Sequence, residues 1–288
     1  ALPIFIKMKK VDSDFKIKKI KSLLLGVCMS YASTGWSQID LQHHFKDCHV
    51  QGSITILDYK RNKWTYSDSA NAQVRTLPAS TFKIINSCIV LELGVIKDEN
   101  EFIKWDGKDR SPVGMQIDAW NRDNNLKEAY RNSTVWFYVE LAKRIGKKRY
   151  LDYLTKCHYG NLDISEKGDD FWNYGHFGVS PIDQIQFLKA FYEEKLPFSK
   201  KTYAIVKRVM ISDKTSHQKN QYTMRYKTGW TDQDGIDIGW CVGYVERKDN
   251  VYFFATRLTK KNDVPNSNFM NCRKEITEII LRQMKVIE

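Results

Sequence analysis

The chain carries the stretch Ser80-Thr81-Phe82-Lys83 directly after Pro78 and Ala79. Residues three apart share a helix face, so a helix starting here brings the amine of Lys83 within reach of the Ser80 hydroxyl. A serine hydroxyl is a weak nucleophile at neutral pH and needs a base within hydrogen-bond distance. The chain has no Gly-x-Ser-x-Gly turn to suggest a histidine base, so Lys83 is the candidate. Taken alone, this spacing also fits a solvated helix start.

Three further segments follow in the order that an acyl-transfer site requires. The sequence predicts Ser133-Thr134-Val135 at a helix start, Tyr159-Gly160-Asn161 in a turn and Lys227-Thr228-Gly229-Trp230 in an extended stretch. Each segment is common singly, whereas the ordered set is specific.

Composition bounds the class of protein. A length of 288 residues is enough to bury a full hydrophobic core without a disulfide or a metal. The formal net charge is +12, but the basic residues are scattered in pairs such as Lys147-Lys148 and Lys200-Lys201. No aromatic-interleaved motif of a nucleic-acid-binding module accompanies them. We therefore expect a solvated basic surface and no nucleic-acid partner.

The N-terminus has the pattern of a secretory signal peptide. A basic run over residues 16–21 precedes an apolar stretch over residues 23–29, which is too short to span a bilayer. We expect cleavage after Ser37, which divides the chain into upstream residues and signal (1–37) and a mature domain (38–288). The mature domain would be exported to the periplasm without a stable membrane span. Lipidation at Cys28 is the alternative, and Val27 before it disfavours that interpretation.

Cysteine spacing limits the covalent framework. Of the six cysteines, Cys28 lies in the signal, which leaves an odd number without a Cys-x-x-Cys pair. This pattern argues against a full disulfide framework and against a zinc ribbon, and at least one thiol must stay free or pair with another chain. His43-His44 and Cys48-His49 are ligand types, but a polar helix end that enters a strand explains them better. We expect no metal site.

Strand patterns occur at both ends of the chain. Residues 52–58 and 63–66 are predicted as two strands, and such a pair is not stable without neighbours. Residues 222–228, 238–245 and 251–258 are predicted to form an antiparallel series. We therefore predict that the two ends of the chain share one sheet.

Helical patterns fill the middle of the chain and its end. Residues 275–286 have the spacing of an amphipathic helix that packs on a sheet. Other helices are predicted over residues 80–93, 133–145, 149–157 and 181–194. The predicted fold class is α+β, with an antiparallel sheet flanked by helices and an all-helical subdomain inserted at about residues 96–204. A cleft is expected between the two parts.

The ordered motifs resemble those of the class D β-lactamases (oxacillinases), in the serine β-lactamase and penicillin-binding superfamily. That family carries Ser-x-x-Lys, Ser-x-Val, Tyr-Gly-Asn and Lys-Thr-Gly in this order. The resemblance runs from about Gln42 to the C-terminus, and it includes Trp172 and Arg273. Val135 is the discriminating residue, since penicillin-binding transpeptidases usually show Ser-x-Asn. The resemblance implies a β-lactamase/transpeptidase-like fold, with a small β-lactam as substrate.

The resemblance also implies roles for the first motif. Ser80 would attack the β-lactam carbonyl and form an acyl-enzyme, with the backbone N–H groups of Ser80 and Trp230 as the oxyanion hole. In the family, the lysine matching Lys83 is carboxylated by carbon dioxide and serves as general base, held by the tryptophan matching Trp172. We expect this N6-carboxylation and no other cofactor. Physically, burial would favour the neutral amine that it requires, and Val135 offers an ammonium no hydrogen bond.

Ser133 is similar to the family residue that passes a proton to the leaving lactam nitrogen, assisted by Lys227. Thr228 and Arg273 resemble the pair that binds the substrate carboxylate, a task that suits the bidentate guanidinium. Arg257 competes for this role. Arg273 is preferred because its place before the final helix matches the family.

The Tyr-Gly-Asn turn and the residue after Trp172 complete the comparison. Tyr159 and Asn161 are predicted to support the site, with Asn161 in a left-handed turn conformation. Asn173 stands where many family members have leucine, which bears on the placement of the deacylating water and on the substrate range.

Two other functions use similar motifs. The extracellular domains of β-lactam-sensing receptors and the penicillin-binding peptidases both acylate with little turnover. A sensor needs membrane spans before the domain, and the chain shows one short signal-like segment. Val135 opposes the peptidase. Hydrolysis of β-lactams is therefore the predicted function.

Overall fold

The central sheet is built from both ends of the chain, as the strand pattern predicts. The computed structural model describes residues 40–111, 116–212 and 222–288. All neighbouring strands of the sheet are antiparallel. In spatial order they are β2 (Lys63–Tyr66), β1 (Gln51–Asp58), β7 (Val251–Lys261), β6 (Ile236–Arg247) and β5 (Tyr222–Gln233).

The long strands extend further than predicted. β5 and β6 are joined by Asp234 and Gly235 alone, and both residues have positive φ. This is the backbone that a two-residue hairpin turn needs to match the twist of its strands. Pairing therefore continues up to the turn. A separate short ladder joins β3 (Phe102–Ile103) to β4 (Asn124–Asn125) and was not predicted.

Both faces of the sheet are buried. Along β6, Trp240, Val242 and Tyr244 belong to the larger hydrophobic core, whereas Cys241 and Val245 belong to a second one. Successive side chains of a strand point to opposite faces, so each core lies on one side of the sheet. The predicted arrangement of a sheet flanked by helices is confirmed.

The helices carry recognisable start signals. α6 begins with Pro181 after a capping box in which Ser180 and Asp183 exchange hydrogen bonds, and it packs against β7 and β1. It does so although it lies inside the predicted insertion, whose bounds stay a prediction. The α-helices are α1 (His43–Asp47), α2 (Lys83–Glu92), α3 (Leu126–Asn132), α4 (Val135–Ile145), α5 (Lys147–Lys156), α6 (Pro181–Tyr192), α7 (Lys200–Val209) and α8 (Phe269–Gln283).

The last helix begins earlier than predicted. α8 starts at Phe269, so Arg273 lies inside the helix, and the prediction that it precedes the helix is wrong. Phe269 and Cys272 are buried in the same hydrophobic core as Ile276. The apolar spacing thus extends toward the N-terminus among polar residues that hid it in the sequence.

Ser133 does not begin a helix as predicted. It follows α3 with a left-handed φ of 59°, and α4 begins at Val135. The preceding helix α3, which the sequence pattern did not indicate, is capped by the Asn125 side chain. Ser133 therefore occupies a sharp corner between two helices.

Cys48 and Cys272 form a disulfide with Cα atoms 6.2 Å apart, while Cys88, Cys157 and Cys241 are free thiols. The expectation that at least one thiol stays free is confirmed. No helix within the described ranges combines the length and apolarity that a bilayer crossing requires. Residues 1–39 lie outside these ranges, so the signal peptide and its cleavage after Ser37 stay predictions.

Candidate active site

Ser80 and Lys83 meet at the start of the first core helix. Ser80 lies in a 3-10 turn, Ala79–Phe82, that continues directly into α2. Lys83 Nζ donates to Ser80 Oγ at 2.9 Å. Ala79 has a left-handed φ of 51°, a costly conformation for a residue with a Cβ, and its N–H donates to the Trp172 carbonyl. The turn that presents Ser80 is thus anchored to the loop of Trp172.

The amine of Lys83 is buried beside an aromatic ring. The residue is fully buried, and Nζ is 5.0 Å from the centre of the Tyr138 ring. Burial lowers the pKa of Lys83 to about 7, although the negative charge of Asp170 acts in the opposite direction. The neutral amine is therefore a populated form near neutral pH.

Trp172 packs against Phe82, the residue before Lys83. Its indole stacks on Phe82 with ring centres 5.0 Å apart, and the side chain is fully buried. Among the described residues, Trp172 Nε1 has no hydrogen-bond partner. A buried N–H without an acceptor is costly and is an exception in native proteins. The indole N–H is therefore available to a further acceptor.

Asp170 and Asn173 flank Trp172 in the same loop. The Asn173 amide group hydrogen-bonds the carboxylate of Asp170 and lowers its pKa, but the larger effect of burial leaves that pKa raised. The Asn173 carbonyl accepts from Thr231 Oγ1 at 2.8 Å, which ties the loop to β5. Asp170 was not singled out in the sequence, although its place two residues before Trp172 was the available clue.

The edge of β5 passes close to the candidate nucleophile. A Cβ at Gly229 would lie 3.0 Å from the Pro78 carbonyl oxygen and 3.2 Å from the backbone nitrogen of Ser80. Only glycine fits this approach without a shift. The backbone that continues into Trp230 therefore runs beside Ser80. The Trp230 indole is bound elsewhere, donating to Asp237 at 2.9 Å.

Lys227 lies on the same strand and is almost fully buried. Its Nζ donates to the Thr228 carbonyl at 2.9 Å and is 5.7 Å from the centre of the Tyr130 ring. Burial lowers the pKa of Lys227 well below its ordinary value, and the positive charges of Lys83 and Arg273 lower it further.

Arg273 reaches this strand from α8. Nη1 donates to the Gly229 carbonyl at 2.5 Å, and Nε donates to the Met270 carbonyl at 2.8 Å. Lys227, Thr228 and Arg273 all line a cavity of about 780 Å3. Ser80 and Lys83 lie outside its wall, so the cavity marks only the β5 and α8 side of the site.

The alternative arginine lies apart from this cluster. Arg257 hydrogen-bonds the Val74 carbonyl and both oxygens of Asn71, and its guanidinium packs over Trp240. These contacts hold the segment that leads to Pro78. The geometry thus favours Arg273 over Arg257 near Thr228.

Ser133 and Val135 approach the site at the α3–α4 corner. The Ser133 N–H donates to the backbone carbonyl of Tyr130. The side-chain hydroxyl of Tyr130 donates to the Tyr226 carbonyl, next to Lys227 in the chain. Val135 precedes Tyr138 by three residues on α4, so both face the Lys83 side. That spacing was the clue that could have identified Tyr138.

The Tyr-Gly-Asn turn is linked through Gln184 to the turn that carries Ser80. The Tyr159 hydroxyl donates to Gln184 at 2.9 Å, and the Gln184 amide donates to Thr81 in the nucleophile turn. The predicted left-handed conformation of Asn161 is wrong, because Gly160 adopts it instead, with φ of 75°. Glycine takes this region without steric cost. Gln184 was missed, and no sequence spacing points to it.

Comparison with known proteins agrees with this geometry. Residues 51–282 match the family described as penicillin binding protein transpeptidase domain. Beta-lactamase OXA-48 of Klebsiella pneumoniae is 39% identical over 85% of this chain and 87% of its own length. Beta-lactamase OXA-20 of Pseudomonas aeruginosa is 35% identical over 90% of each.

A solved structure gives the same result at the level of the fold. The class D beta-lactamase from Sebaldella termitidis ATCC 33386 superposes with a TM-score of 0.81 at 45% identity, covering 88% of this chain and 98% of that one. The sequence identity and the structural similarity thus both extend over most of the two chains. The chain belongs to the class D β-lactamases.

Proposed function

We propose that this chain hydrolyses β-lactam antibiotics through an acyl-enzyme on Ser80, with a carboxylated Lys83 as general base. One observation carries the proposal. The buried Lys83 amine lies 2.9 Å from Ser80 Oγ, and the neighbouring Phe82 stacks on Trp172, whose buried indole N–H has no partner among the described residues. The similar proteins named as β-lactamases support the substrate class.

Acylation begins with the Ser80 hydroxyl. Its oxygen would attack the lactam carbonyl carbon while the base on Lys83 takes the hydroxyl proton. The backbone N–H groups of Ser80 and Trp230 would donate to the developing oxyanion. The close approach that Gly229 permits supports this pair, because it sets the β5 backbone beside the Ser80 nitrogen.

The Lys83 pocket fits a carboxylate on the amine. Carbon dioxide adds only to a neutral amine, and burial lowers the lysine pKa to about 7. When bound, carbon dioxide would supply an anionic base on a side chain that is otherwise cationic. Trp172 Nε1–H would hold it, and Val135 would offer no hydrogen bond that favours the ammonium.

The leaving lactam nitrogen needs a proton. We assign its delivery to the Ser133 hydroxyl, assisted by Lys227, because the α3–α4 corner lies against β5 through Tyr130. Ser133 stands at a left-handed corner rather than within a helix, which leaves its hydroxyl free of an intrahelical carbonyl.

Thr228 and Arg273 would bind the substrate carboxylate. Two of the three guanidinium nitrogens of Arg273 are bound to backbone carbonyls, and within the described residues Nη2 has no acceptor. Burial lowers the pKa of Arg273 to about 10, so the group still carries its charge at neutral pH. A charged donor in a largely buried position favours an anionic ligand.

Export to the periplasm is part of the proposal. The Cys48–Cys272 disulfide supports it, since disulfides persist in oxidising compartments and are rare in the cytosol. Asn173 is proposed to affect the placement of the deacylating water, because it holds Asp170 beside the Lys83 pocket.

A penicillin-binding peptidase is the second candidate, favoured by the match to the transpeptidase domain family. Both functions start with acylation of Ser80 by a β-lactam, and only a lactamase turns the β-lactam over. Nitrocefin hydrolysis separates them. We expect continuous turnover, whereas one burst equal to the enzyme concentration would indicate a peptidase or a sensor domain.

The nucleophile is tested with Ser80→Ala. This variant should lose covalent labelling by a fluorescent penicillin, while the fold is retained because a small substitution at a helix start costs about 1 kcal/mol. Labelling is measured by gel fluorescence and folding by circular dichroism. Labelling that persists in a folded variant would remove Ser80 from this role.

A further inference from the structure

The disulfide joins two cysteines that have no part in the proposed chemistry. Cys48 follows α1 near the start of the described chain, and Cys272 lies 224 residues later in the first turn of α8. Arg273 is the next residue. The covalent bond is thus attached directly beside the guanidinium assigned to the substrate carboxylate.

The position of Arg273 is set by a tight fit against the sheet. Its Cγ and Cδ lie over Gly239, where an added Cβ would come within 2.9 Å of both atoms. Its two hydrogen bonds reach the Gly229 carbonyl on β5 and the Met270 carbonyl in its own helix turn. A small displacement of the start of α8 would therefore move the guanidinium away from Thr228.

The N-terminus of α8 lacks the usual capping contacts. Asn268 at the N-cap makes no side-chain capping bond, and the first turn contains no acidic residue. Met270 is 37% exposed. Phe269 is buried, and the Asn268 side chain bonds Glu275 and Asn271 within the same helix. Two further contacts involve the disulfide cysteines. Asn266 donates to the Cys48 carbonyl at 2.8 Å, and the Asn268 amide lies 3.4 Å from Cys272 Sγ.

We propose that the Cys48–Cys272 disulfide is a positioning element for substrate binding, which holds the first turn of α8 so that Arg273 stays beside Thr228. The inference rests on the proposed role of Arg273. The disulfide touches neither the substrate nor Ser80. Its loss weakens a contact that substrate and transition state share, so KM rises and kcat is kept.

Cys48→Ser is the decisive variant, because it opens the disulfide and leaves the sequence of α8 unchanged. Cys157→Ala, which removes a buried free thiol, is the matched control. The substrates are benzylpenicillin and its methyl ester, which lacks the carboxylate. Cys48→Ser should raise KM for benzylpenicillin about tenfold, with kcat within about twofold and the ester rates unchanged. Cys157→Ala should change none of these values.

Arg273→Ala tests the assigned role of Arg273 separately from the role of the disulfide. It should raise KM for benzylpenicillin by itself, and adding Cys48→Ser should then raise KM less than about twofold, because both changes act on one contact. An unchanged KM in Arg273→Ala would remove the assigned role of Arg273 and the inference with it. An effect of Arg273→Ala without an effect of Cys48→Ser would overturn the inference alone.

A variant that fails to fold is replaced by reduction of the native protein. Dithiothreitol is oxidised to its cyclic disulfide while Cys48 and Cys272 each become a thiol. Alkylation and mass spectrometry verify that these two cysteines have reacted. The reduced enzyme should show the same rise in KM for benzylpenicillin, and an unchanged KM would contradict the inference.

Discussion

Lys83 and Lys227 are two buried lysines of one site, and they differ in the charges around them. Lys83 begins a helix, and Asp170 partly opposes the effect of burial, which leaves its pKa at about 7. Lys227 lies on the edge strand, where Lys83 and Arg273 add to the effect of burial and lower its pKa further. The pKa of the helix lysine thus lies near neutral pH, while the strand lysine is surrounded by other cations.

This difference shows how one modification would serve both lysines. As an ammonium, Lys83 lowers the pKa of Lys227 by repulsion. A carboxylate on Lys83 would reverse the sign of that interaction and raise the pKa of Lys227. The state of Lys83 would then decide whether Lys227 holds the proton that assists Ser133.

Replacing the two lysines separately gives the largest expected effects. Lys83→Ala should lower nitrocefin turnover by about 10³ to 10⁴-fold, because the proposed base beside Ser80 is lost, and added bicarbonate should not restore it. Lys227→Ala should cost less, about 10²-fold, and should keep its response to bicarbonate. Steady-state rates measured with and without bicarbonate test both. A bicarbonate response that survives Lys83→Ala would place the modification elsewhere.

Trp172→Phe tests whether the indole N–H of Trp172 contributes to deacylation. Phenylalanine keeps an aromatic ring to stack on Phe82 and removes the rest of the indole with its N–H, which has no partner among the described residues. Deacylation should slow by about 10 to 100-fold, so acyl-enzyme should accumulate in mass spectra after mixing with a penicillin. Excess bicarbonate should recover part of the rate. A deacylation rate equal to that of the parent would show that the indole N–H holds nothing.

Asp170→Asn should have a smaller effect, and in the opposite direction. The Asp170 charge raises the pKa of Lys83, so its removal lowers that pKa and increases the neutral amine below pH 7. It also removes a like charge beside the proposed carboxylate. The carbon dioxide concentration for half-maximal activity at pH 6.5 should fall by about three to tenfold. Asp169→Asn is the matched control and should change it less. A higher carbon dioxide requirement in Asp170→Asn would reverse the assigned sign.

Much of the fold could be predicted because the signals are local. Turn residues such as Asp234 and Gly235 and the alternation along the strands identify the sheet from short windows of sequence. The start of α8 was misplaced because Phe269 and Cys272 gain their burial only from the distant strands and from Cys48. Helix patterns within a short window do not contain that information.

The site was predicted through its motifs and less well through its surroundings. Ser80 and Lys83 are neighbours by helix geometry alone. Gln184 and Asp170 act across long sequence separations, so their contacts arise only when the chain has folded. Asn161 was given a left-handed conformation that Gly160 takes at lower steric cost.

Carboxylation of Lys83 can be observed by ¹³C NMR in the presence of ¹³C-bicarbonate. Activity is followed in the same samples from pH 8.5 down to pH 5.5 at fixed dissolved carbon dioxide. Protonation of an amine with a pKa of about 7 removes the form that binds carbon dioxide. We expect one carbamate resonance that disappears together with activity as the pH falls, returns when the pH is raised, and is absent from Lys83→Ala. Full activity in samples without the resonance would contradict the account and leave the plain amine of Lys83 as the base.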